Sequence, residues 1–270
     1  MVRRILLGRR FNLLNHALMD LVSGEVICVD KPKGWTSFDA VKRLRGAILR
    51  RLRVKKFKVG HAGTLDPLAS GVMIVCTGRA TKRIEELQSG VKEYVADIAL
   101  GATTPSFDLE TAIDAHYPTD HITRELAEET LARFRGAIEQ VPPAFSACKI
   151  EGQRAYDLAR KGQEVALKAK TLVIDELELL DFTPTAMKVR VVCSKGTYIR
   201  ALARDIGQAL GSGAHLTDLR RTRVGEVGLT DCLSIDQAVE IIKSAPLEFP
   251  EDYPQEQIDR IKEPTAAVAS

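Results

Sequence analysis

Apolar positions along this chain switch between two periods, one alternating with polar residues and one recurring every third or fourth residue, so strands and helices are predicted in turn. Glu25 to Asp30 reads as a strand that ends at Lys31-Pro32. Thr36 or Ser37 can cap a helix running to about Arg53, with Ala40, Val41, Leu44, Ala47 and Ile48 on one face. Val72 to Cys76 is a short apolar strand closed by Gly78, Ala80 to Leu87 a short helix, and Tyr94 to Leu100 alternates as a half-buried strand would. Gly101 to Thr119 is acidic and loop-like. Further on, the periodicity predicts helices over Thr123 to Ile138, Ala155 to Lys161, Tyr198 to Leu210 and Ser234 to Lys243, with strands over Thr171 to Phe182 and Met187 to Cys193. This mixed order, without internal repeats, predicts one α+β domain over 25–245 around a mixed, largely antiparallel sheet. Residues 1–24 then form an N-terminal extension. Residues 246–270 are an acidic, proline-containing tail expected to be weakly ordered.

Composition narrows this picture only slightly. With 270 residues, 45% hydrophobic and 28% charged, the chain can bury one large core or two modest ones. Polar residues interrupt the Leu- and Arg-rich opening, and no later apolar run is long enough to span a bilayer, so a cytoplasmic protein without a membrane partner is expected. Cys28, Cys76, Cys148, Cys193 and Cys232 are widely spaced and read as reduced, packed thiols. The histidines do not cluster with them, and no metal is expected.

Charge changes the picture more. Residues 1–58 carry 15 Lys and Arg against 4 Asp and Glu, in a chain whose formal net charge is only +3. Within that quarter, Arg43 to Lys58 holds eight basic residues and no acid. A solvated helix face is the ordinary explanation of such a run. Eight uncompensated charges favour a polyanion partner instead, and Arg50, Arg51, Lys55 and Lys56 are the candidate phosphate contacts.

The basic run leads directly into the stretch from Gly60 to Gly71, Gly-His-Ala-Gly-Thr-Leu-Asp-Pro-Leu-Ala-Ser-Gly. Its glycines permit close backbone approach, and Pro67 drives Asp66 out of the α region, so one carboxylate is presented from fixed, non-helical backbone. Taken singly, these dipeptides would mark only a chain reversal. The full string resembles the catalytic motif of the TruB family of tRNA pseudouridine synthases. Further resemblances follow in family order: Val29 to Ser37, Lys92-Glu93-Tyr94, Lys195 to Arg200, and Gly213 to Arg221. Together they cover roughly residues 25–245.

The resemblance implies the pseudouridine synthase catalytic fold and isomerisation of uridine at position 55 in the T loop of tRNA, with no cofactor and no obligatory protein partner. The reaction breaks the bond from sugar to base, turns the uracil and rejoins it through carbon, so the product keeps every atom. Asp66 is implied as the essential carboxylate, either nucleophile or base, and Arg200 as the bidentate cation that keeps it ionised. The base must leave the RNA stack. Tyr94 is implied to stack on it and assist proton transfer, Tyr198 to shape the pocket, His61 to fill the vacated space and Leu219 to touch the substrate. Lys31 and Pro32 are expected to brace the loop. The stretch Ser106 to Glu110 resembles a family segment near the substrate, and Asp30, Asp39 and Asp108 are possible second carboxylates. Many family members continue into a small RNA-binding domain of the PUA type, which the acidic tail does not resemble. Two alternatives stay open: a non-catalytic RNA chaperone, and a guide-dependent synthase of the same superfamily.

Overall fold

The computed structural model describes residues 5–6, 18–145, 149–150, 153–154 and 167–263. The expected helix over 155–161 and Cys148 lie outside these. In chain order the elements are β1 (Ile5–Leu6), β2 (Val26–Lys31), α1 (Ser37–Arg51), β3 (Val59–His61), β4 (Ala69–Thr77), α2 (Ile84–Ser89) and β5 (Lys92–Leu100). They continue with β6 (Ala102–Thr103), β7 (Ala115–His116), α3 (Arg124–Arg133), β8 (Gly136–Gln140), β9 (Lys149–Ile150), β10 (Gln153–Arg154), β11 (Lys170–Thr183) and β12 (Ala186–Cys193). The last are α4 (Ile199–Ala209), β13 (Ala214–Val224), β14 (Val227–Gly228), β15 (Leu233–Ser234), α5 (Ile235–Ser244) and α6 (Gln255–Lys262). The fold is α+β, and the chain divides into two compact units, 1–88 with 226–270 and 89–225. This division crosses the single domain expected over 25–245.

In the first unit β4 is the organising strand. It pairs antiparallel with β2, Val29 opposite Met73, and with β3, His61 opposite Val75. β1 and β15 each run parallel to β2. α1 forms where its apolar face predicts, and Thr36 caps it: the Thr36 hydroxyl accepts from the Asp39 N–H at 3.0 Å while the Thr36 N–H donates to the Asp39 carboxylate at 2.9 Å. These Thr36 hydrogen bonds, side chain first, hold the Asp39 carboxyl below its usual range. Asp39 is therefore a cap, which accounts for it without a second-carboxylate role. Leu44 and Ile48 of α1 meet Met73, Val75, Val239 and Ile242 in one core.

Segments before β2 and after α5 add to that core, the second against the expectation of a weakly ordered tail. Met19 and Leu21, before the first expected strand, are each 1% exposed. After Ala245, Phe249 stacks on Tyr253 with ring centroids 5.2 Å apart, and α6 follows with Ile261 8% exposed. Burying one such side chain contributes roughly 1.5 to 3 kcal/mol. Overall acidity hid this, because a few well-placed apolar residues suffice to dock a short helix.

The second unit is an antiparallel sheet in the order β13-β5-β12-β11-β8. β5 alternates cleanly, its even-numbered residues from Lys92 to Leu100 buried and the odd ones less so. α4 packs on β13 and β5, burying Ile199, Leu202, Ala203 and Ile206. Two expectations are corrected here. The helix predicted over Thr123 to Ile138 stops at Arg133, and Gly136 (φ 85°) starts strand β8 instead, paired with β11. Residues 214–224, which read from sequence only as a motif, form the 11-residue strand β13. Its charged run Arg220-Arg221 masks the period of two.

Burial raises the thiol pKa of Cys76 and Cys193 to about 11 each, and pushes that of Cys28 up further. These three behave as packed apolar residues, as expected.

Candidate active site

The loop bearing Asp66 lies between β3 and β4, and its backbone is fastened on both sides of the carboxylate. The buried Ser37 hydroxyl, at the start of α1, accepts from the Leu65 N–H at 2.8 Å and donates to the Leu65 carbonyl at 2.9 Å. On the other side, the Gly34 N–H donates to the Pro67 carbonyl at 2.8 Å, and the Ala69 N–H to the Asp66 carbonyl at 3.1 Å. Leu65 itself is 3% exposed, an apolar anchor directly before the half-buried Asp66. Glycine suits two places, the first by backbone conformation and the second by close approach to a side chain. Gly63 has φ 107°, and a Cβ on Gly60 would stand 2.7 Å from the Ile84 Cδ1.

Lys31 is fully buried, and its Nζ donates to the carbonyls of Trp35 at 2.6 Å and Pro32 at 3.0 Å. It thus ties down the turn that reaches Pro67 through Gly34, as the bracing expectation had it. His61 sits in β3, half-buried. Among the four candidate phosphate contacts, Arg50, Lys55 and Lys56 are exposed. Arg51 is half-buried, and its Nη2 donates to the Ala245 carbonyl at 3.0 Å, so it is partly committed to the protein.

The second unit holds the other candidates on adjoining elements. Tyr94 of β5 is 8% exposed and opposite Arg221 of β13, while Leu219 is opposite Ala96. Directly opposed residues share a face, so Tyr94 and Leu219 are diagonal neighbours on one side of the sheet. Tyr198 caps α4, and Gln140 grips its backbone: the Gln140 Oε1 accepts from the Tyr198 N–H at 2.9 Å and its Nε2 donates to the Tyr198 carbonyl at 3.2 Å. Arg200, two residues on, is 5% exposed. Its Nη1 donates to the Ser106 carbonyl at 3.1 Å and its Nη2 to the Phe145 carbonyl at 2.8 Å, with Nε 3.6 Å from the Asp108 carboxylate. The guanidinium plane is thereby fixed in orientation.

A family model described as TruB family pseudouridylate synthase (N terminal domain) matches residues 50–199, and one described as tRNA pseudouridylate synthase B C-terminal domain matches 200–261. This chain belongs to the TruB family. It is 64% identical to tRNA pseudouridine synthase B of Phocaeicola vulgatus, over 90% of this chain and 99% of that one. It is 66% identical to tRNA pseudouridine synthase B of Bacteroides thetaiotaomicron, over 87% and 99% respectively. Among solved structures, a Cbf5-Nop10-Gar1 complex contains a chain similar to this one with TM-score 0.61 and 29% identity, covering 90% of this chain and 60% of that one. The archaeal box H/ACA sRNP Nop10-Cbf5 complex gives TM-score 0.58 and 29% identity, covering 82% and 54%. This chain thus spans little more than half the length of those structural relatives. As a TruB family member it is an enzyme that isomerises uridine to pseudouridine in tRNA.

The TruB family C-terminal model extends to residue 261, so the docked segment after Ala245 belongs to the family pattern. Sequence reasoning misses Ser37 as a clamp, Gln140 as the Tyr198 holder and Asp108 as a partner of Arg200. For Gln140 a signal exists, because Gly136 can be read as the end of the preceding helix. Asp108 reads from sequence only as a spare carboxylate. Its carbonyl accepts from the hydroxyls of Thr104 at 2.7 Å and Ser106 at 3.2 Å, and Phe107, between Ser106 and Asp108, holds φ 62°. Such backbone is costly for a bulky residue and persists only where surroundings dictate it. Lys92, two residues before Tyr94, is 5% exposed, and burial, assisted by Arg221, lowers its pKa to about 8.

No helix of the described residues is long and apolar enough to cross a membrane. Among the described residues, no group of three or more metal-ligating side chains comes together.

Proposed function

We propose that the uridine converted is the one at position 55 in the T loop of tRNA, and that Asp66 is the reactive carboxylate. Position 55 rests on the family motifs, and the observation that supports the role of Asp66 is the fastening of its backbone from both sides. A group that must meet one atom of a flipped nucleotide gains from backbone held by buried hydrogen bonds, since misplacement by about 1 Å can cost on the order of 10²-fold in rate. Asp66 acts on the sugar or base as nucleophile, or on the sugar as base. Arg200 supplies the balancing charge. Tyr94 stacks on the extruded uracil, Leu219 and Tyr198 close the pocket, and His61 fills the space the base leaves.

The T arm is held through its phosphates by Arg50, Lys55 and Lys56, with a smaller share for Arg51. The catalytic set is carried within residues 25–245, no cofactor takes part, and the reaction belongs in the cytoplasm, where tRNA is.

The deciding experiment uses unmodified tRNA transcript. Wild-type protein should place pseudouridine at position 55, and Asp66→Asn should bind the transcript with near-normal affinity while turnover falls by at least about 10³-fold, roughly 4 kcal/mol of transition-state stabilisation. Modification mapped elsewhere would contradict the position. An active Asp66→Asn enzyme would contradict the role.

A further inference from the structure

We infer that the first unit also carries a nucleotide-sized receptor for the bound tRNA, a cavity of about 590 Å³ between the last turn of α1 and the segment after α5. It rests on the reading of this chain as one that grips RNA through its basic face. Arg50, Arg51 and Arg53 line it from α1, and Lys243 and Lys262 from the opposite wall. Glu263 is the one carboxylate in its lining. That acid is already engaged, since Arg53 lies 3.9 Å from its carboxylate and donates to its carbonyl at 2.6 Å. Lys243 pairs with Glu240 at 2.6 Å, outside the cavity. Among the described residues Arg50 and Lys262 have no ion-pair partner, and the buried Arg51 Nε has no hydrogen-bond acceptor. Arg50 and Lys262 are therefore the cations this cavity can offer to an anion.

Two further features bear on which groups would hold an anion. A helix C-terminus carries negative partial charge, so α1 alone would repel an anion there, and attraction must come from the side-chain heads. Moreover, α1 ends with the Val54 N–H donating to the Leu49 carbonyl at 3.1 Å and the Arg53 N–H to the Arg50 carbonyl at 3.4 Å, which sets Arg53 at φ 50°. Glycine normally occupies that left-handed position, and any other residue there costs about 1–2 kcal/mol. The arginine held there stays on Glu263, which leaves Arg50 and Lys262 to the cavity.

The rest of the lining says what accompanies the anion. Leu247, Phe249 and Ile261 are apolar. The Phe249 ring is fixed by stacking on Tyr253. A lone phosphate needs neither this floor nor this volume, which lies in the range of small-ligand sites, about 300–1,000 Å³. A phosphate with an attached base uses both, so the occupant is one nucleotide of the tRNA strand.

The test neutralises the wall that the basic run does not supply. In Lys243→Gln/Lys262→Gln, two exposed substitutions, tRNA affinity at low salt should fall, and the slope of log affinity against log salt should flatten by about 0.7 to 0.9 for each phosphate no longer neutralised. A purine nucleoside monophosphate, unlike uracil in its base, should compete with tRNA on the wild-type protein and not on this variant. An unchanged slope would overturn the inference, as would competition by inorganic phosphate equal to that by the nucleotide. Binding of the free nucleotide without any effect on tRNA would overturn the RNA as its source. Lys55→Gln/Lys56→Gln, which leaves the cavity lining intact, separates the two readings. Flattening there with none in the Lys243/Lys262 variant removes the cavity alone, and flattening in neither removes the basic face as well.

Discussion

The two ends of α1 are built from different chemistry. At its N-terminal end one buried, uncharged side chain sets position: Ser37, 4% exposed, closes two hydrogen bonds on Leu65 beside the candidate carboxylate, while its neighbours Thr36, Phe38 and Asp39 are exposed. Its C-terminal end is cationic, with Arg50, Lys55 and Lys56 exposed and Arg51 and Arg53 half-buried. Buried, satisfied hydrogen bonds fix positions, because each has no competing water and a high cost of rupture. Exposed charges fix little, since water and salt screen them, but summed against a polyanion they govern affinity. One helix can thus connect accuracy with attraction. Substitutions at its two ends should fail in different measurements.

The largest effect after loss of Asp66 itself is expected from Ser37→Ala. It leaves the Leu65 N–H and carbonyl without their buried partner, a cost of roughly 1–3 kcal/mol for each group, part of it in stability and part in the placement of Asp66. Turnover at saturating tRNA should drop by about tenfold or more while the salt dependence of binding stays as it was. Urea unfolding alongside single-turnover rates checks both parts. A flattened salt slope in Ser37→Ala would break the contrast.

Next in size is Arg50→Gln/Lys55→Gln/Lys56→Gln, which spares the half-buried Arg51. Affinity for tRNA should fall at low salt, with the salt slope reduced by about two to three units if all three touch phosphate. Filter binding between roughly 50 and 200 mM salt, where phosphate neutralisation dominates affinity, measures it. A variant with unaltered slope would mean the basic run is a solvated helix face.

Smallest in its effect on turnover is a change at a buried cation, which acts on stability alone. Lys92 has its pKa lowered to about 8 in the folded chain, against 10.5 ordinarily. Between these values the unfolded chain binds more protons, so this group's contribution to stability rises with pH from about 8 to 10.5, and below about 8 its penalty is fully present. Lys92→Met should remove that rise and stabilise the fold at pH 7 by at most roughly 3 kcal/mol, the advantage vanishing near pH 10.5. Denaturation midpoints across pH 7 to 10.5 test this, and a variant less stable at both ends would contradict it.

Much of this is legible in the residues, and the exceptions have a common cause. α1, α4 and α5 follow from apolar spacing and their flanking residues, and β5 from clean alternation, because those segments bury one face against a core. β13 escapes because Arg221, 1% exposed, occupies an inward position that pattern reading assigns to an apolar residue. α6 escapes because a single buried Ile261 docks an otherwise charged helix. Asp66 and Arg200 stand out only through the family motifs. Their fastenings come from Ser37, Gln140 and Asp108, which lie 28, 58 and 92 residues away in sequence from Leu65, Tyr198 and Arg200. No local period reports pairs so remote.

The division of labour along α1 is read out by the single-turnover rate of pseudouridine formation at saturating enzyme, compared between Ser37→Ala and Arg50→Gln/Lys55→Gln/Lys56→Gln. With every tRNA bound, the triple variant should react within about threefold of the wild type while Ser37→Ala is slower by about tenfold or more. A triple variant as slow as Ser37→Ala, or a Ser37→Ala enzyme as fast as the wild type, would contradict the account.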